Sequence, residues 1–169
     1  MPGVAGTERR RAAALLAIGG LGLAIGVLVY VTDRAATHSL LIPPIGALSG
    51  RHWFGPIALW LPSFVHPFSF SLLTAAALAP RTTPRYEVCA VWCAINVAFE
   101  IGQHPVPARH LAGLGEAVLG DAPLARVLAN YFVRGTFDPG DIAAALLGAV
   151  AAAGVMRLLA FNVEAEHAE

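Results

Sequence analysis

Twenty consecutive residues, 12–31, carry no charge, and they are bracketed by Arg9-Arg10-Arg11 before and Thr32-Asp33-Arg34 after. A helix needs about 20 apolar residues to cross the hydrocarbon core of a bilayer. This one run therefore sets the solvent in which the chain must fold. A secretory signal peptide shares the basic entry, but its apolar stretch is only about 7–15 residues long, so the run reads as a retained span. Three further stretches fit the same measure: about 57–79, 86–103 and 141–161. The second holds His66, the third is interrupted near its end by Glu100, and the fourth keeps Arg157 close enough to its end to snorkel. The expected fold is an all-α membrane protein: one domain over 1–169, a bundle of four transmembrane helices arranged as two hairpins.

Composition agrees. Apolar residues make up 57% of the chain and charged ones 13%, whereas soluble domains are nearer a quarter charged. Eleven arginines balance eleven acids and lysine is absent, so there is no concentrated basic face for a nucleic acid. Cys89 and Cys93 lie one turn apart inside an apolar run. Buried cysteines in such a helix serve as packing residues and imply no disulfide framework.

Orientation follows arginine placement in the short segments beside the spans. The N-terminus offers Arg9, Arg10 and Arg11, the tight second loop offers Arg81 and Arg85, and Arg157 adds to the same side. Arg34, Arg51, Arg109, Arg126 and Arg134 are spread more thinly over the two long loops. Both termini are expected in the cytoplasm and both long loops outside, in a chain integral to the cytoplasmic membrane. In the second long loop, Leu124, Val127, Leu128, Tyr131 and Phe132 recur at helical spacing after Asp121, a capping residue, with Pro123 in the first turn. That predicts a short amphipathic helix, lying on the membrane surface or packed over the bundle as a lid. The first long loop, with Pro43-Pro44 and His52-Trp53-Phe54, reads as irregular with an aromatic anchor.

Polar residues inside the spans carry the functional signal. Cys89, Cys93, Asn96, Glu100 and Gln103 follow one another at spacings of four, three, four and three, so they share one helical stripe. An ionisable group at mid-membrane costs at least about 3 kcal/mol, so it turns inward to a partner. Arg134, Asp138 and Asp141 open the fourth span, where an aspartate can cap the helix and meet its positive end. Downstream, Ala144, Gly148 and Ala152 form a small-residue stripe that admits a close neighbour, for which the consecutive third span is the natural choice. Gly22 and Gly26 form a similar notch on the first span, and Ser63, His66 and Ser69 a polar stripe on the second. With the assigned orientation, His66, Glu100, Gln103, Arg134, Asp138 and Asp141 all lie toward the outer face as a binding site. Arg134 with Glu100 or Asp138 is the first ion pair to expect.

These residues resemble the pattern of the VanZ-like membrane proteins. That family ends its third span with Glu-x-x-Gln, as Glu100-Ile101-Gly102-Gln103 does, and opens the fourth with Arg followed by Asp four and seven residues on, as Arg134, Asp138 and Asp141 do. A glycine on the same face matches Gly148, and a His with following aromatics on the second span is similar to His66-Pro67-Phe68-Ser69-Phe70. The likeness covers residues 55–155. It departs at Ala145, where the family often has Asn, and in the longer stretch between Gln103 and Arg134. It implies a shared fold; the family's link to glycopeptide sensitivity is an analogy that fixes no activity here.

Three functions compete. The first is a non-enzymatic protein whose outward polar pocket binds an envelope lipid or amphiphile, with Arg134 toward an anionic headgroup. The second is a structural or assembly subunit of a larger membrane complex, in which the same residues lock the bundle. The third is a membrane-embedded metal-dependent hydrolase using His66, His104, His110 and Glu100. Zinc takes about three protein ligands with one open position, but Pro105 and Pro107 break the helical register of those histidines. No nucleophile elbow, phosphate loop or cofactor motif is present in the sequence.

Overall fold

The structure, a computed structural model, describes residues 2–33, 51–78, 85–120 and 122–166. Six α-helices and no strand occur among them: α1 Pro2–Thr32, α2 Leu61–Ala77, α3 Tyr86–Gly102, α4 Pro105–Leu119, α5 Pro123–Arg134 and α6 Pro139–Glu166. The expectations for Pro43-Pro44, the 80–84 turn and Asp121 as a cap lie outside the described residues.

Two helices are long and apolar enough to cross a membrane, over Gly6–Thr32 and Pro139–Ala160. Helix α1 continues through Arg9-Arg10-Arg11 instead of starting after them; arginine is a good helix former and nothing there breaks the backbone. Helices α2 and α3 have 17 residues each. The second apolar run starts as a 3-10 turn, Gly55–Leu59, before α2 begins with Pro62 in its first turn. Pro56 and Pro62 each fall in the first turn of their element, where proline is best accepted.

Helix α2 is the hub, packing against α1, α6 and α3. Val65, Ser69 and Leu73 lie on its α1 side, where Gly22 of α1 is so close that a Cβ there would strike the Ser69 hydroxyl. On the α6 side, Gly148 faces the backbone carbonyl of Phe64 and the ring of Pro67. The small-residue notch therefore receives α2 at Gly148, and not α3 as chain order suggested. Only a residue without a side chain leaves room there for the Phe64 carbonyl and the Pro67 ring. Below this contact, Leu15, Leu72, Cys89, Ala149, Ala152 and Met156 form one buried cluster drawn from all four long helices.

Helix α4 was not anticipated. Pro105 and Pro107 sit in its first turn, where backbone N–H groups have no intrahelical partner to lose, so the register break expected of them does not occur. Helices α4 and α5 pack on each other as a hairpin. Helix α5 touches the end of α3, where Phe99 meets the rings of Tyr131 and Phe132 at 5.7 Å each. Phe132 also covers Gly102.

Candidate functional site

The end of α3, the start of α2 and the start of α6 meet at one end of the bundle, beside α5. Asp138 stands immediately before α6 and arranges its first turn: its Oδ1 accepts from the Gly140 N–H at 2.8 Å, and its carbonyl accepts from the Asp141 N–H at 3.0 Å. These bonds satisfy N–H groups that a helix start leaves open. The other carboxylate oxygen, Oδ2, accepts from the Trp60 indole N–H at 3.2 Å.

Glu100, 9% exposed, comes from the last turn of α3 and accepts the Asp138 N–H on Oε1 at 2.6 Å. Asp141 accepts the Ser63 hydroxyl of α2 at 2.6 Å. Three carboxylates thus tie α2, α3 and α6 together through short, charge-assisted bonds. Gln103 extends the arrangement to α5 by donating to the Tyr131 hydroxyl at 3.0 Å, while its side chain fills the space left by Gly135. Burial pushes the Tyr131 phenol up, and the nearby Tyr30, Glu100 and Asp141 push in the same direction against the Gln103 bond. Those neighbours place Tyr30 of α1 at this end too. Donors and acceptors here are suited to orienting a polar group, with acceptors in excess.

Of the six residues expected to converge, Glu100, Gln103, Asp138 and Asp141 do so. His66 stacks instead on Phe70 at 5.9 Å, and Phe70 on Trp92 of α3 at 4.8 Å. Trp92 in turn donates to Thr74 at 3.0 Å. Arg134 is exposed, and among the described residues it makes no ion pair with Glu100 or Asp138. The backbone of Asp138 has taken the place in front of Glu100 that the guanidinium was expected to fill. Arg134 ends α5, where a cation meets the negative end of a helix.

The histidines do not assemble. His104 and His110 are exposed, and the His104 ring packs edge-on against Phe137 at 5.4 Å. Among the described residues no group of three His, Cys, Asp or Glu side chains could hold a metal ion.

The sequence reading missed Trp60, Tyr131 and Asp33 as hydrogen-bonding members of this end. Asp33 closes α1 and accepts the N–H groups of Phe54 and Gly55 at 3.0 and 3.1 Å, pinning the returning loop. An aromatic with a polar tip beside the mouth of a span was the signal that could have found Trp60 and Tyr131. Compared with known proteins, the chain matches no protein-family model, no curated protein and no solved structure.

Proposed function

We propose that the chain is a four-span protein of the cytoplasmic membrane, VanZ-like in kind, whose outer polar cluster binds the headgroup of an envelope lipid or amphiphile. Helices α1, α2, α3 and α6 are the spans, and both termini lie in the cytoplasm. Burial supports a lipid solvent. Only 28% of the Gly6–Thr32 window and 33% of the Pro139–Ala160 window are buried, whereas the core helix of a soluble protein would be mostly covered. Arginine placement supports the orientation by a narrow margin: Arg9, Arg10, Arg11, Arg85 and Arg157 lie toward the end that holds the termini, against Arg51, Arg109, Arg126 and Arg134 in the long segments.

The observation that carries the binding reading is the convergence of Glu100, Asp138 and Asp141 with Ser63, Trp60 and the Gln103–Tyr131 pair. Polar groups at membrane depth mark functional sites by default, because lipid rewards none of them. Four of these residues are also the ones on which the VanZ-like resemblance rests. No catalytic role is assigned, since none of them forms a nucleophile–base pair. Extraction in mild detergent followed by intact-mass spectrometry tests the reading. The wild-type chain should carry a defined lipid, and Glu100→Gln with Asp141→Asn should lose it while melting normally. Equal lipid retention in both proteins would reject a binding site.

One observation favours a second reading, a structural or assembly subunit. Each of the three carboxylates already meets a donor of this same chain, which is what an internal lock requires. The same mass measurement separates the two, because a lock within a complex predicts stoichiometric companion subunits and no retained lipid.

A further inference from the structure

Helix α4 divides its surface into three sectors. Ala108 is buried and Ala112 half-buried, on the side turned to the rest of the hairpin. Val106, Leu114 and Val118 are 61%, 60% and 78% exposed and follow one another at multiples of four residues, so they form one open stripe. Arg109 is exposed off the edge of that stripe, and His110 is exposed within it. The helix begins only two residues after α3 ends, across Gln103 and His104. Its start is therefore held at the level where the third span leaves the membrane. The open face of α3, through Val91 and Ile95, is likewise exposed and apolar, up to Phe99 where α5 packs. The stripe on α4 continues that surface around the corner of the bundle.

We infer that α4 is an interfacial helix, its Val106–Leu114–Val118 stripe seated in the outer leaflet among the acyl chains near the headgroups. The inference rests on the membrane reading above and adds an element that four spans and a lid do not include. A helix of 15 residues is about 22 Å long, too short to cross and long enough to lie flat. Interfacial helices bury their apolar face about 5–10 Å into the headgroup–acyl boundary. Arg109, at the edge of the stripe, then lies level with lipid phosphates, to which a guanidinium binds bidentately. With α4 seated in this way, α5 is held beneath it against Phe99 and Gly102.

The test uses the unmodified chain in vesicles of phosphatidylcholine and phosphatidylglycerol doped with a phospholipid bearing a photoactivatable diazirine on its acyl chain. Adducts are mapped by peptide mass spectrometry. Adducts on the open face of α6 at Leu147 and Val150 report on the spans, and adducts at Leu114 and Val118 report on α4. Labelling of both supports the inference. Labelling of α6 with none on α4 overturns the interfacial helix and leaves the membrane reading standing. Absence of label from α6 as well overturns the membrane reading, and the inference with it. As a check independent of labelling, Leu114→Glu with Val118→Glu should leave the detergent melting temperature unchanged and abolish the α4 adducts.

Discussion

The seam around α2 and the polar end around Asp138 hold some of the same helices together by different means. At the seam, the fit is between backbones: Gly148 of α6 faces a main-chain carbonyl of α2, and Gly22 of α1 faces the Ser69 hydroxyl. At the polar end, the contacts are directional, from Glu100 to a backbone N–H and from Ser63 to Asp141. On the proposed membrane reading, apolar burial between helices supplies little drive, so close packing and hydrogen bonds must do what hydrophobicity does in water. The seam fixes how near the helices lie, and the polar end fixes their register. Volume changes should harm the first and loss of acceptors the second.

Gly148→Ala presses hardest on this division. The added Cβ would run into the Phe64 carbonyl oxygen, which belongs to the main chain and has no rotamer to adopt. The helices must part, and overpacking of this kind costs about 3 kcal/mol or more. Thermal melting in detergent should show a large loss or no folded protein; a wild-type melting temperature would mean the seam is looser than it stands.

Glu100 gives the matching test at the polar end. Glu100→Leu removes the acceptor of the Asp138 N–H and leaves that group unpaired in a largely buried place, at about 1–3 kcal/mol. Glu100→Gln keeps an acceptor oxygen and should recover most of the loss. Equal destabilisation by both would show that charge, and not the hydrogen bond, is what this position supplies.

A smaller effect separates a soft collision from a hard one. Gly22→Ala meets the end of a side chain, the Ser69 hydroxyl, where Gly148→Ala meets main chain. Ser69 Oγ is buried with no hydrogen-bond partner among the described residues, so removing it sacrifices no bond. Gly22→Ala should cost about 1–2 kcal/mol, and Ser69→Ala added to it should restore the melting temperature. Failure of that rescue would place the obstacle in the helix backbones.

The same contrast marks what could be read from the sequence. Apolar runs locate α1, α3 and α6 because an apolar stretch of lipid length satisfies its backbone most simply as a helix, and α3 ends within one residue of the expected position. The stripe spacing finds Glu100 and Gln103, and the capping pattern finds Asp138 and Asp141, since both are local and helical. Partners across helices were less legible. Chain order pointed Gly148 toward α3, while its nearest neighbours are the Phe64 carbonyl and the Pro67 ring of α2. Formal charge pointed Arg134 toward Glu100, while a backbone N–H took that place. Helix α4 stayed hidden because Pro105 and Pro107 look like breakers until the helix start is known to fall on them.

Asp33 supplies the last and smallest test, at the polar end but outside the spans. Burial acts to raise its pKa; the Thr32 hydroxyl, the N–H groups of Phe54 and Gly55, and His52 outweigh that and hold it below the ordinary 3.8. A depressed folded value means that the ionised form is the one the fold favours. Its contribution is complete above the unfolded pKa and disappears as pH falls through the lower folded value. The tether of residues 54 and 55 to the end of α1 should therefore hold at neutral pH and loosen only in acid below pH 3.8. Amide exchange at Phe54 and Gly55 reads this directly, with protection falling over that range. Asp33→Asn keeps an acceptor oxygen but no titrating group, so its exchange should be faster at neutral pH and flat where the wild type changes. Protection in the wild type that persists unchanged into strong acid would show that the carboxylate charge plays no part in holding the loop.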